Sequence, residues 1–107
     1  MALVYSVLRV RRAAKVDENH ARIVATLRKA GLSVYDTSAV GRGFPDLVCG
    51  YGGRTYVVEV KDGAKYPSQR SLTGPQEAFK ASWKGCYMVF ETEEQAKLWA
   101  IAVTKNV

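Results

Sequence analysis

Two acidic residues and a lysine stand at the ends of a predicted β-hairpin. Asp46 begins one β-rich run, Glu59 and Lys61 end the next, and Gly52-Gly53 between the runs predicts a two-residue turn. Counting outward from that turn places Asp46 directly opposite Glu59, so both side chains project from one face of the sheet. Lys61 lies two residues beyond Glu59 and points to the same face. The spacing therefore predicts a cluster of two carboxylates and one ammonium group.

Two carboxylates that face each other across a sheet repel, and something must compensate them. Lys61 can neutralise only one of the two acids. A bound hard cation compensates both, because Mg²⁺ favours carboxylate oxygens and keeps several of its waters. The alternative interpretation is a ladder of mixed charges on an exposed strand, since short Glu-x-Lys pairs are common by chance. Clustered acids in a basic protein favour the interpretation as a functional site.

The elements that position this cluster follow the order α-β-β-β-α-β-α. Periodicity, caps and turn residues predict a helix over 17–30, strands over 33–37, 46–51 and 54–61, a polar loop over 62–72, a helix from about 73 to 85, a strand over 86–91 and a helix over 93–103. The hairpin is antiparallel, whereas the final strand-helix-strand unit implies a parallel pair. The sequence therefore predicts an α/β fold with a mixed four-stranded sheet flanked by helices.

The chain has 107 residues and a net charge of +6, which predict a single domain, over 1–107, with a basic surface. Five of the six surplus charges fall in the first 29 residues, and 1–15 is interpreted as a basic N-terminal extension. Such a face attracts polyanions and favours a nucleic-acid partner, with Arg11 and Arg12 as candidate contacts. A solvated basic surface explains the charge alone equally well.

Membrane association is not expected, because the apolar stretch 1–8 is too short to span a bilayer. Basic residues follow this stretch, whereas a secretory signal carries them in front of its apolar stretch. Cys49 and Cys86 lie in apolar strand-like runs. They are predicted to be core thiols of a reducing, cytoplasmic compartment rather than a disulfide. The chain has no CxxC pair and one histidine, which argues against metal ligation by thiols.

Parts of the sequence resemble a nuclease superfamily. Pro45-Asp46 followed by Glu59-Val60-Lys61 is similar to the PD-(D/E)xK signature. More narrowly, the small VRR-NUC-type nucleases of phages and prophages are similar in three segments, GRGFPD from residue 41, EVKD from residue 59 and LTGPQ from residue 72. The resemblance covers about 17–96 and implies a restriction-endonuclease-like core, likeness to Holliday junction resolvases and a phage or bacterial origin.

The resemblance also implies a role for each matching residue. Asp46 and Glu59 would bind Mg²⁺ or Mn²⁺ together with the backbone carbonyl of Val60. Lys61 would orient or activate the attacking water and stabilise charge near the scissile phosphate. Gln76 matches a glutamine that often supports such sites, although its place in the first turn of a helix is equally typical of a capping box. The implied activity is metal-dependent hydrolysis of DNA phosphodiester bonds.

The first helix offers three polar residues near this site. The resemblance implies an acidic residue here, but the helical wheel turns Glu18 away from the sheet and beside Arg22. Asn19 is better aimed and is predicted to support the site without binding the metal. His20 is interpreted as a hydrogen-bonded boundary residue, because a zinc site would need further ligands.

Basic residues on loops are the candidate DNA contacts. Arg42, Lys65 and Arg70 are predicted to hold backbone phosphates, which position a substrate without reading its sequence. Few features suggest a base-reading element, so cleavage is expected to select branched or flapped DNA. The alternative function is a non-catalytic nucleic-acid-binding module or a subunit of a larger DNA-processing complex, which explains the charge equally well.

The last helix is apolar nearly all round, because it carries the run Leu98-Trp-Ala-Ile101 and then Val103. A helix of that kind is usually buried on more than one side. Either the segment Ala2 to Leu8 or a second copy of the chain covers the side away from the sheet. Two-fold dimers are the commonest soluble assembly, so the sequence predicts a homodimer.

Overall fold

Residues 18–105 are described by a computed structural model, in which helices pack on one sheet. Helix α1 is described over 18–29 and is followed by β1 (Ser33–Asp36), β2 (Leu47–Tyr51), β3 (Arg54–Val60), α2 (Pro67–Arg70), α3 (Gly74–Ser82), β4 (Cys86–Phe90) and α4 (Glu93–Lys105). The predicted α/β class and element order are confirmed, with α2 as an addition. The predicted N-terminal extension over 1–15, with Arg11 and Arg12, lies outside the described residues.

The sheet has the strand order β1-β2-β3-β4, with β1, β2 and β3 antiparallel and β4 parallel to β3. Tyr51 pairs with Arg54 across the two-residue turn, which confirms the predicted register. Both glycines of that turn are left-handed, with φ of 59° and 79°, as a type I′ turn requires. One step beyond the last pair of this register, Asp46 comes opposite Glu59.

One face of the sheet, here the core face, is covered by α1 and α4. Ile23 and Leu27 of α1 are fully buried against it, as are Ala96 and Ala100 of α4. The strand residues of this face alternate along the chain, as half-buried strands require, and they are Val34, Leu47, Cys49, Tyr56 and Val58. A slip of one residue would turn this apolar set to the other face, so burial fixes the register.

The opposite face, here the site face, is covered in part by α3. Phe79 of α3 has its ring centroid 6.1 Å from that of Tyr87 on β4 and 5.3 Å from that of Phe44. Glu59 and Val57 of β3 alternate with the core residues and therefore belong to this face. Val57 and Glu59 are buried on this face, whereas Tyr35 of β1, on the same face, is 73% exposed.

The helices differ from the prediction in three places, of which one is that α4 ends at Lys105 rather than at 103. Helix α2 lies inside the segment predicted as a loop, and it begins at Pro67, whose fixed φ suits the first helical position. Helix α3 ends at Ser82 rather than near 85, because Trp83 adopts an extended conformation. The indole N–H of Trp83 then donates to the carbonyl of Cys86 at 3.1 Å, which ties the helix end to β4.

The prediction of two core thiols is confirmed for Cys49 and wrong for Cys86. Cys49 is buried in the core face, and burial raises the pKa of its thiol to about 11. Cys86 is exposed because it begins β4, which is an edge strand of the sheet. Both thiols are free, in agreement with the expectation of no disulfide.

Helix α4 is buried on one side only within the described residues. Leu98 is 60% exposed and Ile101 is 44% exposed, so the expected burial on several sides is not met by residues 18–105 themselves. The segment 2–8, one of the two predicted covers, lies outside the described residues. None of the described helices combines the length and the hydropathy that a membrane span requires.

Candidate functional site

The first turn of α3 meets the end of β3 through the side chain of Gln76. Its amide nitrogen donates to Oε2 of Glu59 at 3.0 Å, and its oxygen accepts from Nζ of Lys61 at 2.8 Å. The same oxygen accepts from the backbone N–H of Thr73 at 2.9 Å, which completes a capping box. The two interpretations of Gln76 therefore coexist, because it caps α3 and also links Glu59 to Lys61.

Glu59 is a buried acid. Its exposed fraction is 2%, and Oε1 has no hydrogen-bond partner among the described residues. Burial raises the pKa of Glu59 to about 8, and the adjacent carboxyl group of Asp46 acts in the same direction, whereas the charge of Lys61 lowers it. Burial of a carboxyl group with an unpartnered oxygen costs free energy. The burial of Glu59 at this position therefore favours a functional role for it.

Asp46 lies beside Glu59 at the open end of the hairpin. Its Oδ2 accepts a hydrogen bond from the backbone N–H of Val60 at 2.9 Å, which holds the carboxylate against the end of β3. The structure thus brings Asp46, Glu59 and Lys61 together on one face, as the hairpin register predicted. The metal-binding role of the Val60 carbonyl stays a prediction.

A cavity of about 310 Å³ opens on this cluster. Its lining includes every predicted residue of the acid cluster and its supports, together with the predicted DNA contact Lys65, and these residues are Asn19, Asp46, Glu59, Val60, Lys61, Lys65 and Gln76. The sequence did not assign to the site four further lining residues, His20, Ser38, Asp62 and Gln69. Asp62 directly follows Lys61 in the EVKD segment, whereas His20, Ser38 and Gln69 come from α1, a loop and α2, so only tertiary folding brings those three to the site.

The described start of α1 supports the end of β3. Nδ2 of Asn19 donates to the backbone carbonyl of Lys61 at 2.8 Å, which places Asn19 where the helical wheel predicted. The carboxylate of Glu18 instead accepts from Nη2 of Arg22 at 2.8 Å on the exposed side of the helix. Asn19 and Glu18 therefore divide as expected, one toward the site and one toward solvent.

The lone histidine is held by a carboxylate. Nε2 of His20 lies 3.1 Å from Oδ2 of Asp36, and the other oxygen of Asp36 accepts from the hydroxyl of Ser38 at 2.6 Å. Burial raises the pKa of Asp36, but the hydrogen bonds from Ser38 and the charge of His20 outweigh it and lower the pKa overall. The prediction of a hydrogen-bonded boundary histidine is confirmed.

The three basic loop residues predicted to contact DNA occupy different settings. Lys65 lines the cavity, while Arg42 is exposed on the loop before Asp46. Arg70 forms an ion pair with Glu91 at 3.3 Å, and both side chains are 30% exposed. The ion pair engages Nη1 alone, while Nε of Arg70 is buried without a hydrogen-bond partner among the described residues, and the phosphate contact of Arg70 stays a prediction.

The loop before Asp46 contains a left-handed turn. Gly41, Arg42 and Gly43 have φ of 72°, 58° and 83°, and within residues 18–105 Arg42 alone among non-glycine residues has a positive φ. A Cβ atom on Gly43 would lie 2.3 Å from the carbonyl oxygen of Pro75, so the turn packs backbone to backbone on the first turn of α3. The loop therefore sets the position of the helix start that carries Gln76.

The oxygen atoms of the cluster fit a hard divalent cation. Asp46 and Glu59 supply adjacent carboxylates, and Oε1 of Glu59 is unpartnered in the described part of the chain. Mg²⁺ is commonly held by one or two carboxylates together with waters and substrate phosphates. Among residues 18–105 there is no group of three or more His, Cys, Asp or Glu side chains that could hold a metal ion.

Comparison with known proteins identifies no relative of this chain. No protein-family model, curated protein or solved structure matches this chain. The resemblance to VRR-NUC-type nucleases therefore rests on the segments GRGFPD, EVKD and LTGPQ. Function has to be argued from the site, because a fold alone does not imply an activity.

Proposed function

We propose that this protein is a Mg²⁺- or Mn²⁺-dependent endonuclease that hydrolyses DNA phosphodiester bonds on a restriction-endonuclease-like core. The observation that carries the proposal is Glu59, a buried carboxyl group with one unpartnered oxygen beside Asp46. Two acids placed together raise the free energy of the folded chain, and an apolar pair at the same place would not. A reaction that uses the acids gives a reason for their presence.

The residues of the cluster divide the work. A divalent ion held by Asp46, Glu59 and the carbonyl of Val60 would polarise a phosphoryl oxygen and lower the pKa of a water. The ammonium group of Lys61 orients the attacking water and offsets the negative charge that develops on the phosphate. Gln76 holds the Lys61 and Glu59 side chains at a fixed separation, through hydrogen bonds of 2.8 Å and 3.0 Å.

The remaining residues hold the cluster and its substrate. Asn19 fixes the carbonyl of Lys61 and so the backbone from which that side chain extends. Lys65 lines the cavity and binds a phosphate beside the scissile bond, with Arg42 as a further contact on its left-handed turn. Such contacts read no sequence, so the proposed substrates are branched or flapped DNA. Arg11 and Arg12 extend the same basic character.

The proposal is tested with the purified full chain and matched linear, branched and flapped DNA. Each DNA is incubated with Mg²⁺, with Mn²⁺ and with EDTA, and the products are separated on a denaturing gel. We expect cleavage that requires the metal and that is faster on the branched or flapped DNA. Binding of the same DNA without cleavage under any metal condition would instead support the non-catalytic nucleic-acid-binding module.

We further propose a homodimer, with a cytoplasmic setting in a phage-infected or bacterial cell suggested by the resemblance. The exposed Leu98 and Ile101 give α4 an apolar side that a second copy can bury. Sedimentation at micromolar concentration is expected to give twice the mass of 11.8 kDa. Replacement of both residues by serine should yield the monomer, and a wild-type mass that stays monomeric as concentration rises would contradict the dimer.

A further inference from the structure

A second edge of the cavity is formed by the segment 62–71. Lys65 and Gln69 of this segment line the cavity, and Tyr66 lies between them at the N-cap of α2. The Tyr66 side chain is 74% exposed, the highest value among the exposed large hydrophobic residues of the described chain. Its ring leaves an apolar surface in water that a flat ligand could cover, since aromatic rings gain free energy when stacked and buried.

The segment that carries Tyr66 is hydrogen-bonded to Glu91 near both of its ends. The N–H of Gly63 donates to the carbonyl of Glu91 at 2.8 Å, and Nη1 of Arg70 donates to its Oε1 at 3.3 Å. Between these ties, the N–H of Gln69 donates to the carbonyl of Tyr66 at 2.8 Å. The backbone under the ring is therefore fixed before any ligand arrives, and a ligand does not have to order it.

The positive charges of the neighbouring cavity select the kind of ligand. Lys65 precedes Tyr66 directly, and Lys61 lies in the same cavity. Cations beside an aromatic ring are the combination that binds single-stranded nucleic acid, because the cations hold the backbone and the ring stacks on a base. Bases inside a duplex already stack on both neighbours, so only an unpaired or terminal base can offer a free face.

We propose that Tyr66 is a stacking platform for one unpaired nucleobase of DNA, next to a phosphate held by Lys65. This inference rests on the proposed nuclease function and specifies its substrate class, a strand with unpaired nucleotides beside the bond that is cut. Tyr66 binds the substrate and takes no part in bond cleavage. The preference for flapped or branched DNA then has a physical source, which is the ring rather than a reading of sequence.

The test compares two DNAs that differ only in a short single-stranded extension. Fluorescence anisotropy gives the dissociation constants of the Glu59→Gln protein in Mg²⁺, so that the DNA stays intact during the measurement. Stacking on one base is expected to make the extended DNA bind about 5- to 100-fold more tightly than the blunt DNA. Tyr66→Ala in the same background should bring the ratio of the two dissociation constants, blunt over extended, close to one. Tyr66→Phe should keep this ratio at the value of the Tyr66-intact protein.

Tyr35 is the matched control, because it is 73% exposed but lies on β1, outside the segment 62–71 that carries Lys65 and Gln69. Tyr35→Ala is expected to keep the ratio. Tyr66→Leu, which keeps apolar bulk without a π-face, is expected to lose it, and melting curves verify that each variant is folded. A ratio near one in the Tyr66-intact protein, or an equal loss in the Tyr35 and Tyr66 variants, overturns the platform.

Cleavage by the wild-type chain separates the two levels of the proposal. Cleavage of both DNAs at equal rates, with equal binding, overturns the platform and leaves the nuclease standing. Failure to cut or bind either DNA overturns both. A 2-aminopurine at the first unpaired position gives an independent reading, since its fluorescence should fall on binding to the tyrosine protein and not on binding to Tyr66→Ala.

Discussion

Helices α3 and α4 both begin after a threonine that is followed three residues later by a glutamine. At α4, the N–H of Gln95 donates to the hydroxyl of Thr92 at 3.1 Å, and its side-chain oxygen accepts from the N–H of Glu91 at 2.7 Å. At α3, Gln76 makes the corresponding cap with Thr73 and in addition bonds Glu59 and Lys61. The same local pattern therefore serves one purpose at α4 and two at α3.

The difference arises from what lies opposite each helix start. The first turn of α4 stands among exposed groups, and Gln95 is itself exposed. The first turn of α3 stands against the end of β3, where Glu59 is buried. Loss of a cap costs about 1 kcal/mol, whereas loss of the partner of a buried polar group adds its desolvation penalty of about 1–3 kcal/mol. A capping residue joins a site only where buried polar groups lie within its reach.

Replacement of the buried acid is expected to give the largest contrast between the two helix starts. Glu59→Gln preserves the size of the side chain and removes its charge, so cleavage should fall about 10²- to 10⁴-fold while the protein stays folded. Glu93→Gln in the first turn of α4 is the matched control, because its carboxylate bonds Thr26 at the surface at 3.3 Å. Initial cleavage rates decide the matter, and a wild-type rate from purified Glu59→Gln protein would falsify the assignment.

Removal of the two capping glutamines gives the next contrast. Gln76→Ala frees both Glu59 and Lys61, so cleavage should fall about 10- to 100-fold, as for other groups that orient a metal site. Gln95→Ala should leave the cleavage rate within twofold and lower stability by about 1 kcal/mol. Denaturant unfolding and initial rates, measured on the same preparations, separate the two effects. Equal rates for the two variants would show that Gln76 is a cap alone.

Each helix start is also backed by a glycine. A Cβ atom on Gly43 would lie 2.3 Å from the carbonyl oxygen of Pro75, and one on Gly63 would lie 2.9 Å from that of Glu91. An alanine at position 43 meets the closer clash and also has to adopt a φ of 83°. Gly43→Ala should therefore lower the free energy of unfolding by about 1–3 kcal/mol, more than Gly63→Ala does.

Cleavage by the folded glycine variants is the second reading of this contrast. We expect a several-fold lower rate for Gly43→Ala alone, because it moves the helix start that carries Gln76. Gly41→Ala controls for backbone strain, since Gly41 also has a positive φ but no atom within 4 Å of an added Cβ. A rate loss in Gly41→Ala as large as that in Gly43→Ala would contradict the contact argument.

The last expected effect is a pH dependence of stability in the metal-free protein. The pKa of Glu59 is raised from 4.5 to about 8, so between these values the unfolded chain has released a proton that the folded chain keeps. Stability should therefore fall as pH rises through that window and level off above it. The melting temperature of wild type minus that of Glu59→Gln, measured in EDTA, should decrease from pH 5 to pH 8. A difference that is constant with pH would contradict the raised pKa.

The hairpin was predictable because its information is local. Gly52-Gly53 determines the register, the register places Asp46 opposite Glu59, and the alternation of apolar residues selects the core face. Lys61 follows from the same alternation. These residues lie close together in the chain, so pairing rules alone bring them to one place.

Other parts of the site depend on contacts that no local pattern contains. The sequence predicts Arg70 to be a basic residue on a loop. Only the folded chain brings it to Glu91, which is 21 residues away. The exposure of Cys86 depends on its place at a sheet edge, which the sequence order does not reveal. Gln76 was placed correctly on α3, but its two roles could not be separated or combined until β3 lay against the helix.

The connection between β3 and β4 has a consequence for how the chain folds. The β2–β3 hairpin closes through two residues and can form in about 1–10 μs, whereas the parallel β3–β4 pair must wait for a long crossover to close. We therefore expect the hairpin to bring Asp46 and Glu59 together before the crossover delivers Gln76. For that interval the carboxylates repel across a bare hairpin. The electrostatic penalty of the site thus falls on an early folding step, and a proton or a divalent cation in the surrounding solution would ease it.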